Sequence, residues 1–114
     1  MEFDTYTLVL LRRGRRAAEL SDDEVERLQS EHLAHLAALR RRGALLVAGP
    51  FRDQDDQSMR GVCIYGTGLE EARRHAEQDP AVQAGRLEFD AVTWLTPKGA
   101  LAFPGAPTTR EEDT

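Results

Sequence analysis

The sequence predicts an α+β fold of the split βαβ, ferredoxin-like kind (βαββαβ), with a four-stranded antiparallel sheet. Three observations predict it. Strand-like and helix-like segments follow one another in the order strand, helix, strand, strand, helix, strand. The 114 residues are enough for one domain and too few for two. The first, second and fourth strand segments are apolar on both sides, yet two helices can cover only one face of such a sheet. A strand order of 4-1-3-2 is expected, with both helices on one face. The bare face is expected to pack on a second copy, making a homodimer.

Thr5 to Leu11 reads as the first strand, rich in aromatic, β-branched and leucine residues. Arg12-Arg13-Gly14-Arg15-Arg16 then forms a basic loop, where Arg12 or Arg13 either holds an anionic ligand or is simply solvated. Ser21 stands three before Glu24, a capping-box signature that opens a helix running to about Arg42. Acids at its start and Arg40, Arg41 and Arg42 at its end suit the helix dipole, and Gly43 supplies a left-handed stop. Ala44 to Ala48 reads as a buried strand ended by Gly49-Pro50, since proline cannot donate to a ladder.

Phe51 to Arg60 is a polar loop with Asp53, Asp55 and Asp56, whose spacing does not match an EF-hand. Gly61 to Tyr65 is the third strand. Thr67 stands three before Glu70, repeats the capping signature, and opens a second helix from Leu69 to about Gln78. Asp79-Pro80 ends it, because the residue before proline is pushed out of helical geometry. Pro80 to Ala84 reads as a short turn and Arg86 to Thr96 as the fourth strand. The domain is drawn at residues 1–97 with a tail at 98–114, expected to be mobile beyond 106.

Composition narrows the function. Hydrophobic residues make up 40% and charged residues 31%, as in ordinary globular proteins. The formal charge of −5 argues against nucleic acid as the main partner. The apolar run Leu8 to Leu11 is far too short to span a bilayer, so no membrane partner is expected. One cysteine, Cys63, allows no internal disulfide, and the acidic start lacks the basic region of a secretory signal; a cytoplasmic location is expected. Three histidines without ligand spacing speak against zinc, and no Gly-rich phosphate loop is present. No metal and no cofactor are expected.

The middle of the first helix carries the chemistry. Val25, Leu28, Leu36 and Leu39 form its buried stripe. His32 lies four after Leu28 and four before Leu36, so an ionisable ring occupies the centre of that stripe. It is either a satisfied core histidine or part of a site. His35 lies toward the edge and is the alternative candidate base. Cys63, inside a strand, suits the core better than a nucleophile's role. Asp79 fits a helix N-cap with Pro80 at the first helical position.

The chain resembles the YCII-related domain family. The resemblance rests on Leu10-Leu11-Arg12, on His32-Leu33-Ala34-His35-Leu36, and on the run Gly43-Ala44-Leu45-Leu46-Val47-Ala48-Gly49-Pro50-Phe51. It continues with Arg60-Gly61 and Asp79-Pro80-Ala81-Val82-Gln83-Ala84-Gly85, in family order from about Phe3 to Trp94. The resemblance implies a ferredoxin-like fold that dimerises into an α+β barrel. It also implies a pocket in which His32 and Asp79 are the catalytic pair. It points to acid–base chemistry on a small molecule, of the elimination or isomerisation type. Arg12, Gly49, Pro50, Phe51 and Arg60 are then the expected substrate-binding residues, the arginines for an anionic group. The alternative is a dimer that binds or senses a small molecule in the same pocket without turnover.

Overall fold

Thr7, Val9 and Leu11 are buried, whereas Leu8 and Leu10 between them are half-buried. This alternation belongs to β1 (Phe3–Arg13), which pairs with two other strands. The computed structural model describes residues 1–103. After β1 comes a 3-10 turn at Ala17–Glu19 and then α1 (Asp22–Arg41). β2 (Leu45–Pro50) and β3 (Met59–Tyr65) form a hairpin. They are followed by α2 (Leu69–Glu77), α3 (Pro80–Gln83) and β4 (Leu87–Pro97). The sheet order is β2-β3-β1-β4 with every pair antiparallel, which is the expected 4-1-3-2 read from the other edge.

Each helix begins and ends for a local reason. The Ser21 side chain accepts the Glu24 amide, while Glu24 accepts the Ser21 amide, so the capping box forms in full. Gly43, at φ 84°, ends α1: its amide donates to Arg40 and that of Ala44 to Leu39. Those two bonds are a Schellman motif, which satisfies carbonyls the helix leaves free. Gly85, at φ 80°, does the same after α3, with its own amide on Val82 and that of Arg86 on Ala81.

The core lies between the helices and one sheet face. Val9, Cys63, Tyr65 and Leu45 from the strands meet Leu39, Ala72 and Ala76 from α1 and α2. Alanines on α2 let that helix approach the sheet closely. Burying a leucine such as Leu39 stabilises the fold by about 1.5–3 kcal/mol. On the opposite face Val47, Val92 and Trp94 remain exposed.

Two local expectations need correction. β2 does not stop before Gly49-Pro50; Pro50 pairs with Gly61 inside the ladder. An edge strand tolerates a proline because one of its sides has no partner to lose. Thr67 does not cap α2. Gly68 is the N-cap and makes no side-chain cap bond, while the Thr67 carbonyl accepts the Thr7 hydroxyl at 2.9 Å. Past β4, the Lys98 amide donates to Glu2 and the Gly99 amide to Asp4, and Phe103 packs edge-on against Tyr6. The segment from 98 to 103 is thus tied to β1. The expectation of a mobile chain beyond 106 lies outside the described residues.

Candidate functional site

His32 and Asp79 meet beneath α1. The Nδ1 of His32 is 2.5 Å from Oδ2 of Asp79, and both side chains are buried. The partners are 47 residues apart in the chain, so the helix packing creates the contact. Asp79 is also the N-cap of α3, where Pro80 stands at the first helical position. Its Oδ1 accepts the Ala81 amide at 2.9 Å. One carboxylate therefore caps a helix with one oxygen and orients a ring with the other. With the ring proton on Nδ1, that N–H donates to the carboxylate and the Nε2 lone pair is left on the free edge of the ring.

That ring lines a cavity of about 490 Å³ between α1 and the sheet. The volume falls within the roughly 300–1,000 Å³ usual for small-molecule sites. Leu11, Val25, Leu36, Ala48, Cys63 and Leu87 supply apolar wall. Burial, with a smaller push from the charge of Asp79, raises the Cys63 thiol to about 12, so it stays protonated and is no nucleophile at neutral pH. Burial likewise pushes the Tyr65 phenol above its ordinary value.

The other histidines have structural partners. His35 Nε2–H donates to the His75 carbonyl at 2.8 Å, which ties α1 to α2. His75 stacks on Tyr65 with ring centroids 5.9 Å apart, and its Nε2 lies 3.2 Å from Glu71. Neither lines the cavity.

Of the expected binding residues, Gly49, Pro50, Phe51 and Arg60 line the cavity with His32. Arg12 does not, and that expectation is corrected. β1 runs on through Arg13, so strand alternation sends Arg12 to the open face of the sheet. There its Nε donates to Asp90 at 2.7 Å, a bond that raises the guanidinium pKa above its ordinary value. Its neighbour Arg13, weighed beside it in the sequence, lines the cavity instead; Gln29, Gln54 and Arg86, which the sequence did not single out, line it too. Gln29 had a readable signal, one turn before His32 on the same helix face. Arg86 had none, because its direction depends on the turn at Gly85. Among the described residues no group of three or more His, Cys, Asp or Glu side chains is placed to hold a metal ion. No described helix is long and apolar enough to cross a membrane.

Comparisons with known proteins give three findings. The model of the YCII-related domain matches residues 7–94. No curated protein matches the chain significantly by sequence. Among solved structures, the chain is similar to 5-chloro-2-hydroxyhydroquinone dehydrochlorinase (TftG) from Burkholderia phenoliruptrix, in complex with 2,5-dihydroxybenzoquinone. Identity is 20% and the TM-score 0.52, covering 82% of this chain and 95% of that one. SnoaB, a cofactor-independent oxygenase from Streptomyces nogalater, gives 17% identity and a TM-score of 0.49, over 86% and 97% of the two chains. The first likeness shows the fold.

Proposed function

The chain belongs to the YCII-related domain family, and from that premise we propose that it is a cofactor-free enzyme moving a proton on a small molecule. The observation that carries the reading is the buried His32–Asp79 bond beside an open cavity. Asp79 holds the ring in the tautomer that leaves Nε2 ready to accept a proton. Its negative charge offsets the positive charge the ring gains on doing so. The electron pair left on the substrate then expels a leaving group, which is elimination. Alternatively it is reprotonated elsewhere by the same ring, which is isomerisation. Neither course needs an oxidant or a reductant. The dehydrochlorinase, of the same fold, is an eliminating enzyme by its name, which supports the first course.

A homodimer belongs to this proposal. Val47, Val92 and Trp94 stay 40%, 50% and 38% exposed on the sheet face that no helix covers. A second copy set on that face removes them from water.

The test begins with the metabolites retained by freshly purified protein and assays each for turnover. His32→Gln is expected to keep the fold, by near-ultraviolet dichroism, and to lose about 10²–10⁴-fold in rate. Wild-type rates in that variant would refute the assignment.

A further inference from the structure

The charge lining the cavity is opposite to that of the chain. Acidic residues outnumber basic ones, 20 to 15, over the whole sequence. Yet the cavity wall holds Arg13, Arg60 and Arg86 and no Asp or Glu. None of the three forms a salt bridge among the described residues, although five other arginines do. We propose that these arginines are an anion-recognition rim and that the substrate is an organic acid. Its acid group docks at the rim, and its apolar body reaches inward to His32.

The fold brings the three arginines to the cavity wall from separate segments. Arg13 ends β1, Arg60 is the second residue of β3 and Arg86 precedes β4. β1 runs antiparallel to both other strands, so its end and their beginnings share one edge of the sheet. Two glycines draw the segments together. The Gly14 amide donates to Arg86 at 2.8 Å, and a Cβ on Gly14 would lie only 2.1 Å from the Gly85 carbonyl oxygen. Gly85 itself adopts the left-handed turn that sends Arg86 back toward α1.

The rim is also tied to the helix that carries the ring. Arg86 Nη1 donates to Gln29 Oε1 at 2.9 Å. Gln29 precedes His32 by three residues, close to one turn, or a rise of about 4.5 Å along the helix. Using its Nη1 on Gln29 leaves the rest of the Arg86 fork for a ligand. Arginine suits a planar carboxylate or enolate because its donors match both oxygens. The apolar wall beyond the rim favours a hydrocarbon or aromatic body over a sugar or a phosphate ester.

This inference rests on the proposed function only for where the reacting atom lies. Its test is therefore a binding measurement without turnover. Calorimetric titration compares 2-naphthoate with 2-naphthamide, which share one apolar body and differ in charge. The wild-type protein is expected to bind the carboxylate at least roughly tenfold more tightly than the amide. Arg60→Ala and Arg86→Ala are each expected to weaken naphthoate about five- to tenfold and to leave naphthamide unchanged. Arg12→Ala, on the opposite sheet face, is expected to alter neither. Arg60 is exposed, so its variant decides the matter if Arg86→Ala is poorly folded. Equal affinity for acid and amide overturns the inference. So does failure of naphthoate to bind at millimolar concentration, or an Arg12→Ala effect as large as the other two. The acid–base reading would survive any of these, because it fails on the rate of His32→Gln and not on the charge of the ligand.

Discussion

Asp79 and His32 share one hydrogen bond, but Asp79 has a second obligation to the Ala81 amide that His32 does not. Substitutions at Asp79 can therefore separate the two. Asp79→Asn keeps an oxygen for the Ala81 amide and places an amide nitrogen or oxygen against the ring, so the ring's tautomer is no longer held by a charge. Turnover is expected to fall by about 10²–10⁴-fold with a small change in stability. Asp79→Ala loses the cap as well and is expected to cost about 0.5–2 kcal/mol in addition. Urea melts alongside rate measurements check both. Equal stability of the two variants would show that the cap contributes nothing.

The open sheet face is expected to be an interface. Val92 pairs in register with Leu8, and Trp94 with Tyr6, so a change at either strikes the middle of the apolar surface. Light scattering at micromolar concentration should give the mass of a dimer. Val92→Asp should give a monomer, because a dimer would bury an unpaired carboxylate. A monomeric wild-type protein would refute the interface.

Alkaline pH is expected to destabilise the protein in a definite window. Cys63 has an ordinary thiol value of 9.0 in the unfolded chain and is raised to about 12 by burial in the folded one. Between those values the unfolded chain has released a proton that the folded chain still holds. The folded state then binds more protons, so stability falls as pH rises, and is undiminished below pH 9. The buried Tyr65 phenol acts in the same direction. Urea midpoints at pH 8 and pH 11 should therefore differ, and Cys63→Ala should reduce the difference. At neutral pH a thiol reagent should react slowly with the native protein and rapidly after denaturation.

Gly14 is expected to resist substitution. A methyl group there meets the Gly85 carbonyl at 2.1 Å and the Arg86 backbone at 2.7 Å, so the two loops must part. Gly14→Ala should cost about 1–3 kcal/mol. Because the same approach sets Arg13 beside Arg86, it should also weaken naphthoate binding. Gly68→Ala meets nothing within 4 Å and serves as the control.

Much of this protein can be read segment by segment. Ser21 with Glu24, Gly43, and Asp79 with Pro80 mark helix ends through bonds spanning a few residues, so a local reading finds them. The element order, the strands apolar on both sides and the family resemblance led to the strand order that the structure shows. The interior position of His32 followed from its spacing to Leu28 and Leu36, and it is buried. What only tertiary structure decided is which side chains face the cavity. Arg12 and Arg13 are equivalent in a basic loop, but one more pair of ladder residues sends them to opposite faces, since side chains alternate at every step. Thr67 has the pattern of a cap, yet its carbonyl is engaged by Thr7, 60 residues away. Arg86 turns inward because Gly85 adopts the left-handed turn and packs against Gly14, a contact between chain segments no local pattern encodes. Local bonds set the elements; the cavity wall is the sum of five distant segments, and only their packing defines it.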